Sequence, residues 1–195
     1  MAFCKGLVQR APTQASAYAH ALPLSVADDI DVPTLSVSSP YDVLVRVLAV
    51  ALNHCDYKMP THFLSPGNMA GCDFCGVVIG GGPCAVCDAG MRVCGAVFPY
   101  GRRAEPGVKD RGAFAEYVAV DSRLLLRIPA TWSDLQGAAL GGVGWATVGL
   151  ALSDSQALAL AGFPSAPALD LEPEPVLVYG GATATGTMAC QLLSL

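Results

Sequence analysis

Charge is scarce in this sequence. Asp, Glu, Lys and Arg make up 14% of the 195 residues, and acidic residues outnumber basic ones 16 to 11, for a formal net charge of -5. That balance provides no basic field for nucleic acid or for an anionic membrane surface, so neither partner is expected. Only three histidines are present, which limits imidazole-based metal or acid–base chemistry. The opening Met1-Ala2-Phe3-Cys4-Lys5-Gly6-Leu7 lacks the apolar run of a secretory signal. Long hydrophobic runs are missing too, apart from the uncharged residues 137–152. That run holds five glycines and is short for a bilayer crossing, so a buried glycine-rich helix pair is expected rather than a span.

What the chain does have is apolar mass: 53% of its residues are hydrophobic, which supports a core and excludes disorder. Its length fits one domain with a good core, or one domain plus the beginning of another. With no export signal, the eight cysteines are expected as reduced thiols and the location as cytoplasmic.

Short Val-rich runs point to a compact β-barrel or sandwich. Residues 1–40, punctuated by Pro12, Pro23, Pro33 and Pro40, read as irregular. Asp42 to Leu52 is the clearest strand; Phe74 to Ile79, Val93 to Phe98, Ala113 to Val120 and Leu124 to Ile128 follow. The texture then turns helical. Ser133 and Gln136 form a Ser-x-x-Gln capping box that opens one helix, and a second is expected over about Ala146 to Leu152. Residues 153–175, with Pro164, Pro167, Pro173 and Pro175, read as a linker.

Val176-Leu177-Val178-Tyr179-Gly180-Gly181-Ala182-Thr183-Ala184-Thr185-Gly186 reads as a buried strand, a small-residue turn and a helix start. Small residues at such a turn let backbone amides approach a pyrophosphate, and the helix N-terminus favours its charge. The hydroxyls of Thr183 and Thr185 add to that reading; the alternative is a plain tight turn, since Ala182 and Thr185 replace the second and third glycines of G-x-G-x-x-G. Only residues 187–195 follow Gly186, so a nucleotide-binding domain is expected to begin here and to be truncated.

Two cysteine pairs, Cys72-x-x-Cys75 and Cys84-x-x-Cys87, have the spacing of zinc knuckles. A strand through Cys72 and Cys75 sends their side chains to opposite faces, so small buried hydrophobes are expected in place of a structural zinc. His54, Cys55 and Asp56 are consecutive, and adjacent residues rarely converge on one metal; no metal is expected. Asp56-x-Lys58 could place Lys58 near a phosphate, ribose or carbonyl, against the plain alternative of a solvated pair.

Together these pieces resemble the zinc-free branch of the medium-chain dehydrogenase/reductase superfamily, and within it the trans-acting enoyl reductases of fungal polyketide biosynthesis. The likeness is carried by Ala51 to Lys58 (ALNHCDYK), Gly71 to Val78 (GCDFCGVV), Gly112 to Tyr117 (GAFAEY), Ala138-Ala139-Leu140 and the YGGATATG of residues 179–186. It covers only the N-terminal half of the family's length. The resemblance implies an α+β fold in which 1–129 is a GroES-like β-barrel lobe carrying the catalytic side, 130–175 a helical connection and linker, and 176–195 the first strand and helix of a truncated Rossmann domain. It implies NADPH as cofactor, with Cys55, Asp56, Tyr57 and Lys58 beside it and Ala182, Thr183, Ala184 and Thr185 at its phosphates. It places Thr147, Val148, Gly149, Leu150, Ala151 and Leu152 near substrate. Zinc-dependent relatives would carry Cys at the position of Asn53 and His at that of Cys72, and both ligands are replaced here.

The implied activity is NADPH-dependent reduction of an α,β-unsaturated polyketide thioester held on the carrier protein of a partner polyketide synthase. No proton donor stands out; Lys58 is the one candidate. The alternative is a catalytically inactive truncated remnant, or a GroES-like lobe that binds protein.

Overall fold

The computed structural model describes residues 2–11, 22–35, 38–100, 112–160 and 175–194. The chain divides into two compact units, Met1–Gly142 and Val143–Leu195. Among its described residues the first unit is a β lobe with two α-helices. Its main sheet orders β6 (Tyr117–Asp121), β3 (Asp42–Ala51), β4 (Asp73–Gly81), β5 (Arg92–Ala96) and β7 (Leu126–Arg127), antiparallel throughout. A second antiparallel pair, β1 (Phe3–Gln9) with β2 (Leu24–Asp31), meets this part of the fold through bridges Gly6–Ala115 and Val8–Met69.

Alternation explains β3: Val43 and Val45 point into the core, while Arg46, Leu48 and Val50 are exposed. The inward pair packs with Phe74, Val78, Val93, Val118 and Val120. β4 is buried on both faces over most of its length, because helix α2 (Asp134–Leu140) covers the other side through Cys75, Cys94, Ile128 and Ala138. The capping box forms as expected: Ser133 Oγ accepts from Gln136 N at 3.2 Å, and Gln136 Oε1 accepts from Ser133 N at 2.9 Å.

The apolar run 137–152 does not continue as one helix. Stretch Asp134–Ser153 is long and apolar enough to cross a membrane by composition. Its backbone, however, turns at Gly141, whose φ of 54° suits only glycine, and where a Cβ would lie 2.5 Å from the Asp73 carboxylate. The second unit begins past this break with α3 (Val143–Ser153), three residues ahead of the expected start, and contains α4 (Ala184–Leu192).

Several expectations need correction. Among the described residues of 1–40, which read as irregular, β1 and β2 are strands, hidden because Lys5, Gly6 and the acidic Asp28, Asp29 and Asp31 dilute their apolar alternation. The strand expected over Ala113 to Val120 forms only from Tyr117, since Ala113–Glu116 bends to bridge Gly6 and accept from Leu7. Leu124 to Ile128 gives a 3-10 turn at Ser122–Leu124 and then the two-residue β7. A helix not foreseen, α1 (His54–His62), follows β3 directly, with Pro60 inside it. Val176 to Tyr179 is in no strand; the described residues of its unit offer nothing to pair with, and Leu177 is 91% and Tyr179 fully exposed. Most of the linker expected at 153–175 lies outside the described residues.

Candidate cofactor site

The first cluster is built where β3 runs into α1. Asn53 is the N-cap of α1, and Asp56 reaches back from the first turn: its Oδ2 accepts from Asn53 N at 2.7 Å. Asn53 turns its amide the other way, Nδ2 donating to Asp73 Oδ2 at 2.9 Å at the start of β4. Asp73 Oδ1 accepts from Gly142 N at 3.0 Å, so one buried carboxylate ties α1, β4 and the end of α2 together. Tyr100 completes the cluster, its hydroxyl donating to Asp56 Oδ1 at 3.0 Å and accepting from Gly71 N at 2.8 Å. Burial, then the neighbouring Asp56 charge, keeps that phenol protonated well above its usual range.

Cys55 and Cys72 meet inside this frame, with their sulfurs 3.6 Å apart. Burial raises both thiols above the ordinary value, and the charge of Asp56 adds to the effect. Donor atoms of Cys55, Asp56 and Cys72 all lie within 4.8 Å of one another, the one group among the described residues with the proximity for a metal. Sequence reasoning missed this convergence because the third member, Cys72, comes from the segment leading into β4. A catalytic zinc nonetheless fits poorly: Asn53 is committed to Asp73, and both Asp56 oxygens already accept hydrogen bonds. The two CxxC pairs do not assemble. Cys75 Sγ lies 3.9 Å from Asp134 Oδ1, Cys84 is exposed, and Cys87 Sγ sits 3.7 Å from the Ser122 carbonyl.

Tyr57 and Lys58 point outward from α1. Tyr57 is 46% exposed, with the Lys58 Nζ 5.9 Å from its ring centroid and the His54 ring on another side, also at 5.9 Å. Of the residues expected near cofactor in this unit, Cys55 and Asp56 therefore belong to one buried network, while Tyr57 and Lys58 face solvent.

The second cluster lies within the other unit, at the N-terminus of α4. Thr183 is its N-cap, with Oγ1 accepting from Gly186 N at 3.1 Å and donating to the Gly180 carbonyl at 2.8 Å. That hydroxyl is thus spent on the turn itself. Thr185 Oγ1 lies 3.5 Å from it, and Ala182 and Ala184 are exposed. Gly186 is buried, and a Cβ there would fall 2.2 Å from the Gly180 oxygen, so only glycine lets the turn close over the helix. The arrangement of small residues and a capped helix start suits a pyrophosphate. On α3, Thr147, Leu150 and Ala151 are exposed, Gly149 is half-buried, and Val148 and Leu152 are buried. The Thr147 hydroxyl is turned back on the helix, donating to Val143 O at 2.7 Å.

Comparison with known proteins bears on these clusters. The alcohol dehydrogenase GroES-like domain matches residues 39–130. The trans-enoyl reductase sthE of Phaeosphaeria nodorum is 55% identical over 187 residues, which is 96% of this chain and 49% of that protein. The trans-enoyl reductase calK of Penicillium decumbens is 51% identical over 198 residues, covering 97% of this chain and 50% of that protein. The chain is similar to these trans-enoyl reductases over nearly its whole length, and it spans about half of theirs. Its fold is also that of an alcohol dehydrogenase superfamily protein from Novosphingobium aromaticivorans, with a TM-score of 0.70 at 23% identity, over 99% of this chain and 50% of that one. The quinone oxidoreductase from Coxiella burnetii gives a TM-score of 0.63 at 24% identity, covering 99% of this chain and 54% of the other.

Proposed function

We propose that the protein is a trans-acting enoyl reductase that uses NADPH to reduce α,β-unsaturated thioesters carried by a partner polyketide synthase, in the cytoplasm. The observation that carries this reading is the 55% identity, over nearly the whole chain, to a protein named trans-enoyl reductase. The bound cofactor supplies a hydride for the β-carbon of the enoyl group. The protein's part is to hold and orient. Ala182, Thr183, Ala184 and Thr185 present backbone amides and the positive end of α4 to the phosphates, with the Thr183 cap fixing the turn. In the first unit, Cys55, Asp56, Tyr57 and Lys58 are the residues assigned to cofactor contact, the Asp56–Tyr100–Gly71 chain keeping the first turn of α1 in place. Of the segment Thr147 to Leu152, assigned to substrate, Thr147, Leu150 and Ala151 form the exposed face of α3 offered to the acyl chain. The enolate that develops on the thioester takes its proton from Lys58 or from water. No step is routed through zinc.

The test is turnover. The purified chain is incubated with NADPH and an enoyl thioester on a pantetheine arm or a carrier domain, and products are read by mass spectrometry. Saturated thioester formed with NADPH in preference to NADH is the expected result. A folded chain that neither consumes NADPH nor binds it, yet binds a carrier-bearing synthase fragment, would favour the alternative of a GroES-like binding lobe.

A further inference from the structure

Eight free cysteines lie among the described residues, and one pair is in direct sulfur contact. Cys55 is half-buried in the first turn of α1; Cys72 is fully buried just before β4. What sets this pair apart is that the residues flanking each thiol are hydrogen-bonded to one another. Asn53, before Cys55, donates to Asp73, after Cys72, and Asp56, after Cys55, is joined through the Tyr100 hydroxyl to Gly71, before Cys72. Two short segments distant in sequence are thereby clamped on both sides of a 3.6 Å sulfur–sulfur contact. Proximity fixed in this way turns a bimolecular step into an internal one.

We propose that Cys55 and Cys72 form a reversible redox pair that closes to a disulfide when hydrogen peroxide reaches Cys55. Cys55 reacts first because it is the more accessible of the two thiols. Its sulfur attacks one peroxide oxygen, the O–O bond breaks, Cys55 becomes a sulfenic acid and the other oxygen leaves as water. Cys72 then attacks Cys55 Sγ, the S–O bond breaks, the S–S bond forms and a second water leaves. Two thiols lose two electrons, one peroxide gains them, and both thiol protons end in water. Burial raises both thiols, so only a small thiolate fraction is present and closure is slow, limited to sustained exposure to oxidant. Closing from 3.6 Å to a bond of about 2.05 Å shifts the first turn of α1 towards β4. On the function proposed above, that shift moves Asp56, Tyr57 and Lys58 and weakens cofactor binding; the disulfide itself does not depend on that function.

The experiment titrates the reduced full chain with hydrogen peroxide, blocks remaining thiols with N-ethylmaleimide and maps cross-links by peptide mass spectrometry. The expected first product joins the Cys55 and Cys72 peptides with loss of two hydrogens, and dithiothreitol reverses it. In Cys72→Ser, dimedone captures a sulfenic acid on Cys55. The wild-type map decides the matter even where a variant fails to fold. A first cross-link between Cys84 and Cys87 would overturn the proposal, as would over-oxidised Cys55 beside reduced Cys72. Protection of both thiols that ends on adding a chelator would replace it with a bound cation. A Cys55–Cys72 disulfide with NADPH affinity unchanged would uphold the redox pair and count against the cofactor placement alone.

Discussion

Asp56 is only 5% exposed, and its two oxygens divide the task of holding α1: one caps the helix start, the other takes the Tyr100 hydroxyl. Tyr100→Phe removes that hydroxyl while leaving the Gly71 amide and an Asp56 oxygen buried and short of a partner. A loss of about 1–3 kcal/mol is expected, read as a lower urea midpoint at unchanged slope; an unchanged midpoint would show that water replaces the hydroxyl. The buried thiols give a second residue-scale prediction. Cys75 and Cys94 face each other across β4 and β5, and burial raises each from 9.0 to about 11, helped at Cys75 by Asp134 and at Cys94 by Cys75. The folded state therefore holds protons that the unfolded chain gives up. Stability from this source is complete below pH 9.0 and declines as pH rises towards about 11. Urea midpoints of the reduced protein should fall across that window, and less steeply in Cys94→Ala; a flat profile would contradict the assignment.

At the scale of elements, α2 and α4 are the helices most exposed to single changes at their N-termini. α2 has seven residues and depends on its reciprocal cap, so Ser133→Ala should cost about 1 kcal/mol, again measured by denaturant midpoint. α4 depends on its glycine turn. Gly186→Ala drives a methyl group into the Gly180 carbonyl, so the turn must open and the first turn of α4 should lose hydrogen-exchange protection. Amides of β3 and β4, in the other unit, should be unaffected; full retention of protection in α4 would mean that the turn relaxes elsewhere.

For the molecule as a whole, ladder bonding is concentrated in the first unit. Val43 and Val45 are completely buried in a central strand paired on both sides, whereas Leu177 and Tyr179 are almost fully exposed and join no sheet. Hydrogen exchange should therefore be slow over Val43 to Val47 and fast over Val176 to Tyr179. Strong protection of the latter segment in a monomer would show a pairing partner outside the described residues. In the relatives, which are about twice as long, this chain's span corresponds to half of the protein, and the function proposed here belongs to that larger frame.

The sequence alone determined what local rules can determine. Val alternation marked β3, turn residues bounded β4 and β5, and Ser133 with Gln136 announced α2. The glycine turn at 180–186 announced α4, and motif spacing pointed to the family. Tertiary structure decided the rest. β1 and β2 exist because pairing and the bridges to Ala115 and Met69 outweigh diluted alternation, and α1 forms despite Pro60 because Asp56 caps it. The meeting of Cys55 with Cys72 was invisible in the sequence, since sixteen residues separate them and only the Asn53–Asp73 and Asp56–Tyr100–Gly71 bonds bring them together. Val176 to Tyr179 shows the opposite case. Its apolar pattern is that of a strand, but a strand is a property of at least two segments, and pattern supplies only one of them.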